Sequence, residues 1–415
     1  MTTNRPPLPP FKYLIIIEPL GLLYGSAGRF LSPENLVGRS GSQFPPSAAA
    51  LSGIVAAHHA QHTASKQELE ATLKPLCLAG PFWKWTHDHN PENVCVPTPM
   101  NCLARLNPHH DETRVPQGSL VNRLEWDGQQ WIPLDQDNAA GKPEGRTWVA
   151  LNDWLQLSKW QPGDKQPRVY GDPWHYAPHL HPYLKEDERR VDTDRERGSL
   201  FLENGVQMHP ETCLVYLSNL PIQDDKNRLV KNAWYRFGGE GHMVELTCHP
   251  ISETSKLHQL LTHPLGQSFS LITPAVWGSN RLSYRSPRPL KKGDKSRHQL
   301  AEVDSDLTAL WDTAALITER PVTFRYRLGN RKNQQGTDIH QPNQPKALSR
   351  GRYAVPAGSV YVMEKPLESY PTWQDWPLDW FPREGPSLKR WGCGLALPLP
   401  GAVAQASELS EKLAS

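Results

Sequence analysis

The chain has little with which to cross a membrane, staple itself together or turn over a nucleotide. Its purely aliphatic run at Leu14–Ile17 is far short of the ~20 apolar residues a spanning helix needs, and too short for a signal peptide. Six cysteines (Cys77, Cys95, Cys102, Cys213, Cys248 and Cys393) are scattered without a CxxC pair. That excludes a zinc ribbon and a disulfide framework, and makes a reducing cytoplasm the simplest home. No GxxxxGK[ST], GxGxxG-before-helix, HExxH or GxSxG pattern occurs, so the usual nucleotide, zincin and hydrolase signatures are missing. Net charge is also in short supply. Lys and Arg number 45 against 43 Asp and Glu, leaving +2, so any nucleic-acid site must be a local patch.

What is present is proline, tryptophan and interrupted pattern. Forty prolines in 415 residues, with only 38% apolar residues, predict a modest core and much loop. Fifteen tryptophans argue against disorder, which is poor in aromatics, and exceed what one core needs. Because tryptophan is enriched at interfaces, contact with partners is expected. Leu14–Ile17 reads as a central strand covered on both faces and ended by Pro19. After Pro45 and Pro46, with Ser47 as N-cap, AAALSGIVAAHHA reads as a small-residue helix able to pack closely on a sheet. Residues 80–190 lose periodicity apart from a hairpin, LEWDGQQWIPL, turning at Asp127-Gly128. Strands are then predicted at GSLFLENGVQM, ETCLVYLSNL, MVELTCHPI, FSLITPAVW and RYAVPAGSVYVMEK, a short amphipathic helix at LTALWDTAALI, and a polar tail. Strands with few helices predict an α+β architecture of antiparallel sheets with helices on one face.

Three kinds of feature bear on chemistry. Glycine-rich turns at GLLYGSAGR, FGGEGH and WGCGLALPLPG let backbone N–H groups approach an anion, although isolated glycines more often serve ordinary turns. Basic runs at Arg281–Arg297 and Arg320–Gly336 gather Arg281, Arg285, Arg325, Arg327 and Arg331 in a nearly neutral chain. In the second, Phe324 and Tyr326 alternate with the arginines, as phosphate neutralisation with base stacking requires. Histidines cluster at His87/His89, His109/His110 and His175/His179/His181, but the intervening prolines preclude a helix that would align His175 with His179. No carboxylate cluster accompanies them, so no metal or cofactor is expected.

EPLGLLYGSAGRFLSPEN followed by FPPSAAALSGIVAA resembles the N-terminus of the third Cmr subunit of type III-B CRISPR effector complexes. FGGEGHMVEL, ITPAVWG, RYAVPAGSVYVME and WGCGLALPLPG follow in that family's order. The resemblance implies a RAMP-superfamily protein with two ferredoxin-like (RRM-like) domains. The N-terminal one is discontinuous (1–80 and 191–260), interrupted by a loop-rich, Trp/His/Pro-rich insertion at 81–190. The C-terminal one is 261–402, and a tail follows at 403–415. It further implies a non-catalytic subunit capping the 5′ repeat-derived tag of the crRNA, between the large polymerase/cyclase-like subunit and the backbone RAMP subunit. Matching tag-binding positions are Gly25, Ser26, Gly28 and Arg29, with Arg39 in the same loop, then Gly238, Gly239, Gly241 and His242, and Gly392 and Gly394. The alternatives are a repeat-processing endoribonuclease using His58 or His59 as general acid or base, and, more remotely, a metal-dependent hydrolase on the His-rich segment.

Overall fold

A computed structural model describes residues 8–23, 44–108, 114–136, 144–182, 185, 190–191, 200–238, 241–278, 283–287, 311–326, 348–383 and 386–403. The apolar run near the N-terminus becomes β1 (Tyr13–Pro19), and α1 (Ala48–His62) follows it. Ser47 occupies the N-cap position with extended backbone, but its hydroxyl makes no capping bond. The start of the helix is held instead by Tyr216, whose hydroxyl donates to the Pro46 carbonyl at 2.6 Å. A second helix, α2 (Lys66–Leu73), is capped by Ser65 accepting from the Glu68 N–H, and leads into β2 (Leu78–Trp85).

Between β2 and the next central strand run β3 (Cys95–Pro97), β4 (Cys102–Leu106), β5 (Gln117–Trp126), β6 (Trp131–Pro133), β7 (Trp148–Ala150), α3 (Trp154–Lys159), β8 (Arg168–Tyr170), β9 (Trp174–Pro182) and β10 (Leu200–Met208). Then come β11 (Thr212–Ser218), β12 (Ala233–Phe237), β13 (His242–Pro250) and α4 (Lys256–Thr262). One eleven-stranded sheet runs β12-β13-β1-β11-β2-β3-β7-β8-β5-β4, with β6 on β5. Every pairing in it is antiparallel. The segment expected to be largely loop therefore extends the sheet beyond β2. The β5–β6 hairpin turns where predicted, pairing Trp126 with Trp131 and placing Gly128 at φ +103°. Strands β9 and β10 form a separate two-stranded arm.

β1 lies between β13 and β11 and is covered on both faces, as its unbroken aliphatic run requires. Ile15 and Ile17 meet Leu51, Ile54 and Val55 of α1, while Leu14 and Ile16 join a larger core built around Phe82, Val215, Trp154 and Trp277. At about 1.5–3 kcal/mol for each buried aliphatic side chain, this strand anchors both layers.

The C-terminal part holds β14 (Ser268–Leu271), β15 (Trp277–Gly278), β16 (Ser283–Tyr284), β17 (Thr313–Ile317), β18 (Val322–Phe324), β19 (Arg352–Ala354), β20 (Val360–Met363) and β21 (Ala396–Pro398). Four of them form an antiparallel sheet, β17-β20-β14-β21. The described part of LTALWDTAALI is not the helix expected: Thr313–Ile317 pairs with β20, and Trp311 turns into the core. Its Ala/Leu spacing fits a helical period, but pairing along β20 supplies the backbone hydrogen bonds instead. Tryptophan also behaves differently from the interface reading. Nine of the fifteen (Trp83, Trp148, Trp154, Trp160, Trp277, Trp311, Trp373, Trp376 and Trp380) are buried, and only Trp234 is highly exposed. The small aliphatic content is offset by large rings, as where Phe269 stacks on Tyr361 at 5.2 Å beside Trp311 and Trp376. No described helix is long and apolar enough to cross a membrane.

Candidate nucleic-acid interface

Of the residues assigned to RNA from the sequence, Gly25, Ser26, Gly28, Arg29, Arg39, Gly239, Arg281, Arg327 and Arg331 lie outside the described residues. The rest fall in three places.

The first is the turn joining β12 to β13. Phe237 pairs with His242, and the chain reverses between them with Gly238 at φ +75° and Gly241 at φ +71°. Both angles lie in the left-handed region, where a side chain is costly, so glycine is required here by conformation. The Gly241 N–H reaches back to the Gly238 carbonyl at 3.4 Å, and Gly238 faces open space. β12 is the edge strand and its residues alternate sharply. Phe237 is buried against Tyr216, ring centroids 6.2 Å apart, and Tyr235 also turns toward α1. Trp234 and Arg236 point the other way, Trp234 being 68% exposed. The Arg236 side chain passes 3.8 Å from where a Gly241 Cβ would stand. Sequence reading passed over this pair; the signal was the alternation in AWYRF, which sets Trp234 and Arg236 on one face. The result is a guanidinium, an exposed indole and a side-chain-free turn at one sheet corner.

Charge limits where an anion can lie on this face. Trp234 is opposed by Glu245, and Glu245 in turn by Glu18. The Trp234 indole N–H reaches the Glu245 carboxylate at 3.4 Å. Burial and the facing Glu245 hold the Glu18 carboxyl above its usual range, although Lys84 opposes them. A phosphate is repelled from that row and favoured at Arg236 and the turn.

The second place is the C-terminal part. Arg285 is exposed just after β16, with its carbonyl accepting from the Tyr361 hydroxyl at 2.5 Å. Arg325 is half-buried and donates through Nε to the Ser349 carbonyl at 3.0 Å. Tyr326 is buried and Phe324 packs on the core, with ring centroids 6.1 Å apart. The aromatic side of that alternation therefore faces inward, which corrects the base-stacking reading for these two rings.

The third is the turn at Gly392–Gly394, which is buried. Gly392 abuts Ala79 of β2, and Gly394 abuts Trp277, Ala275 and Phe381. Their N–H groups donate internally, Gly392 to the Lys389 carbonyl and Gly394 to the Pro274 carbonyl, both at 2.9 Å. Thr273 donates to the Gly392 carbonyl at 2.5 Å. This turn is a packing joint, and the backbone donors a phosphate would need are already used.

His58 and His59 sit on α1. His58 is 5% exposed and shares a 3.0 Å hydrogen bond with the Tyr235 hydroxyl. Burial, reinforced by His62 and His59, holds its imidazole below the usual range, and burial does the same for His59. His62 lies 3.4 Å from Asp225. Among the described residues no group of three or more His, Cys, Asp or Glu is placed to hold a metal ion. His175 and His179 lie on β9, a strand, so their spacing is not that of a helical ligand pair.

Residues 17–400 match the sequence profile of a family described as CRISPR-associated protein (Cas_Cmr3). Among solved structures, the chain is similar to one from the type III-B Cmr-beta complex bound to cognate target RNA. That similarity has 12% identity, 84% of this chain and 86% of the other covered, and a TM-score of 0.40. It is also similar to a chain of the Csm3–Csm4 subcomplex of the type III-A interference complex, at 9% identity, 85% and 94% coverage, and a TM-score of 0.31. A third is a chain of the Csm1–Csm4 cassette in complex with pppApA, at 9% identity, 86% and 88% coverage, and a TM-score of 0.30. No curated protein sequence matches.

Proposed function

The chain belongs to the Cas_Cmr3 family of CRISPR-associated proteins, and on that premise we propose that it is a non-catalytic RNA-binding subunit of a type III effector, holding the 5′ tag of the crRNA. In this reading it works in the cytoplasm, between the large polymerase/cyclase-like subunit and the backbone RAMP subunit. The observation that carries it is the corner where Gly238 and Gly241 open the turn beside exposed Trp234 and Arg236. An indole stacks on any base, and a guanidinium neutralises a phosphate, which together suit single-stranded RNA.

Strand order supports the ferredoxin-like half of the reading. Counting only β1, β2, β11 and β13, the sheet runs fourth-first-third-second, with α1 crossing between the first two. Counting β14, β17, β20 and β21, the C-terminal sheet has the same order. We read the chain as two such units, the first interrupted between β2 and β11.

Binding without cleavage is supported by His58, whose ring is buried and engaged by Tyr235 and so poorly placed to transfer a proton to RNA. The test is whether Arg236 and Trp234 set the affinity for tag RNA.

A further inference from the structure

Away from the glycine turn, a cleft of about 640 Å³ opens where the N-terminal sheet passes into the inserted strands. Its cause lies in the register. β2 is joined to β3 through the single pair Trp83–Cys95, and β7 to β8 through the single pair Trp148–Tyr170. The sheet splays there, and large rings fill the fork. Trp83 is buried with Trp148 at 6.5 Å and Tyr170 at 5.7 Å between centroids. Trp85, two residues further along the same strand, shares its face and reaches the cleft half-buried. Around it stand Tyr170 at 5.9 Å, His87 at 5.3 Å and His209 at 6.1 Å. Arg114 and Arg168 lie on the exposed rim, and Glu211 faces the same space.

We propose that this cleft binds one nucleotide, with its base against Trp85 and Tyr170 and its phosphate between Arg114 and Arg168. Aromatic side chains give a base a stacking surface. Two guanidiniums match a phosphate in charge and donor geometry. The Glu211 carboxylate accepts from an exocyclic amino group, which favours bases carrying one. The volume falls within the ~300–1,000 Å³ of small-ligand sites. Burial raises the Tyr170 hydroxyl, opposed by Arg168, whose side chain hydrogen-bonds to it and so stands beside the ring. The inference goes beyond tag holding and does not depend on it, because the cleft lies at the sheet fork and not at the β12–β13 turn. A free nucleotide and a nucleotide of a single-stranded RNA offer the same chemistry.

Calorimetric titration of the full chain with AMP, CMP, GMP and UMP, and separately with a tetra-adenylate ribonucleotide, tests this. One equivalent should bind, with AMP, CMP and GMP, whose bases carry an exocyclic amino group, preferred over UMP. Arg168→Glu, on the exposed rim, should weaken binding at least about tenfold while melting is unchanged. Trp85→Leu should weaken it about 5- to 160-fold, the range that base stacking commands. Arg114→Glu, also on the exposed rim, should weaken it as Arg168→Glu does, and keeps the test open if Trp85→Leu fails to fold. Equal affinity for AMP and the tetramer identifies a free nucleotide as the occupant, and much tighter binding of the tetramer identifies an RNA strand. The proposal is overturned if no nucleotide binds, or if binding is indifferent to both arginine changes.

Discussion

Gly392→Ala separates a packing glycine from an RNA-cradling one. Gly392 ends a short 3₁₀ turn (Leu388–Trp391) at φ +70°. A Cβ there would stand 2.4 Å from both Cα and Cβ of Ala79, and 2.9 Å from the Leu78 carbonyl oxygen. Favourable carbon–carbon contact begins near 3.5 Å, so the overlap exceeds an ångström. Two of the atoms met are backbone of a central strand and the third is the Cβ fixed to it, so none can swing aside. Left-handed backbone costs an alanine about 1–2 kcal/mol, and overpacking a further 1–3. The sum, about 2–5 kcal/mol, should lower the melting temperature by several degrees in a chain of this size. Thermal melting followed by circular dichroism reads this directly. RNA affinity measured below the transition should match the wild type, because the turn offers no free backbone donor. A variant that melts normally yet loses RNA binding would refute the packing assignment.

Two further outcomes follow from buried titratable groups. Incubation with repeat RNA should give no cleavage that His58→Ala or His59→Ala abolishes; products lost in either variant would restore the endoribonuclease reading. Lys389 is buried with its ammonium donating to the Gln374 and Trp376 carbonyls at 2.8 and 2.5 Å, and burial lowers it from 10.5 to about 7. Its pKa is depressed in the fold, so the unfolded chain binds the extra proton and this group's contribution to stability rises with pH between about 7 and 10.5. The full depression corresponds to at most about 5 kcal/mol, and the two carbonyl bonds and the Trp373 face 4.8 Å away reduce it. In urea denaturation, the stability of wild type minus that of Lys389→Met should therefore grow from pH 7 to pH 9.5. A constant difference would show that Lys389 stays charged in the fold.

Some of this was legible in the residues and some was not. Leu14–Ile17 announced a doubly covered strand because four consecutive aliphatics have no polar face to offer water. The small-residue helix and the strands at 200–208, 212–218 and 242–250 also lie where their patterns put them. LTALWDTAALI misled because alanine and leucine satisfy a helical period, while the deciding fact, an open edge on β20, is non-local. The segment after β2 read as loop because its strands are three to ten residues long and pair out of order, β3 with β7 and β5 with β8. At the site, glycine motifs were visible but their surroundings were not. FGGEGH and WGCGLALPLPG look alike as strings, yet Gly238 faces open space and Gly392 faces a strand. The Trp234–Arg236 pair was missed because a run of five residues gives no hint of which face the core will take.

The central claim is tested most directly by tag-RNA affinity as a function of salt, for wild type, Arg236→Ala and Trp234→Ala. Each lost phosphate contact should flatten the log–log salt slope by about 0.7 for a single strand. Arg236→Ala is expected to weaken binding and flatten the slope by that amount. Trp234→Ala is expected to weaken it about 5- to 160-fold with the slope unchanged, because stacking releases no counterion. Both variants binding the tag with wild-type affinity and slope would contradict the assignment of this corner to RNA.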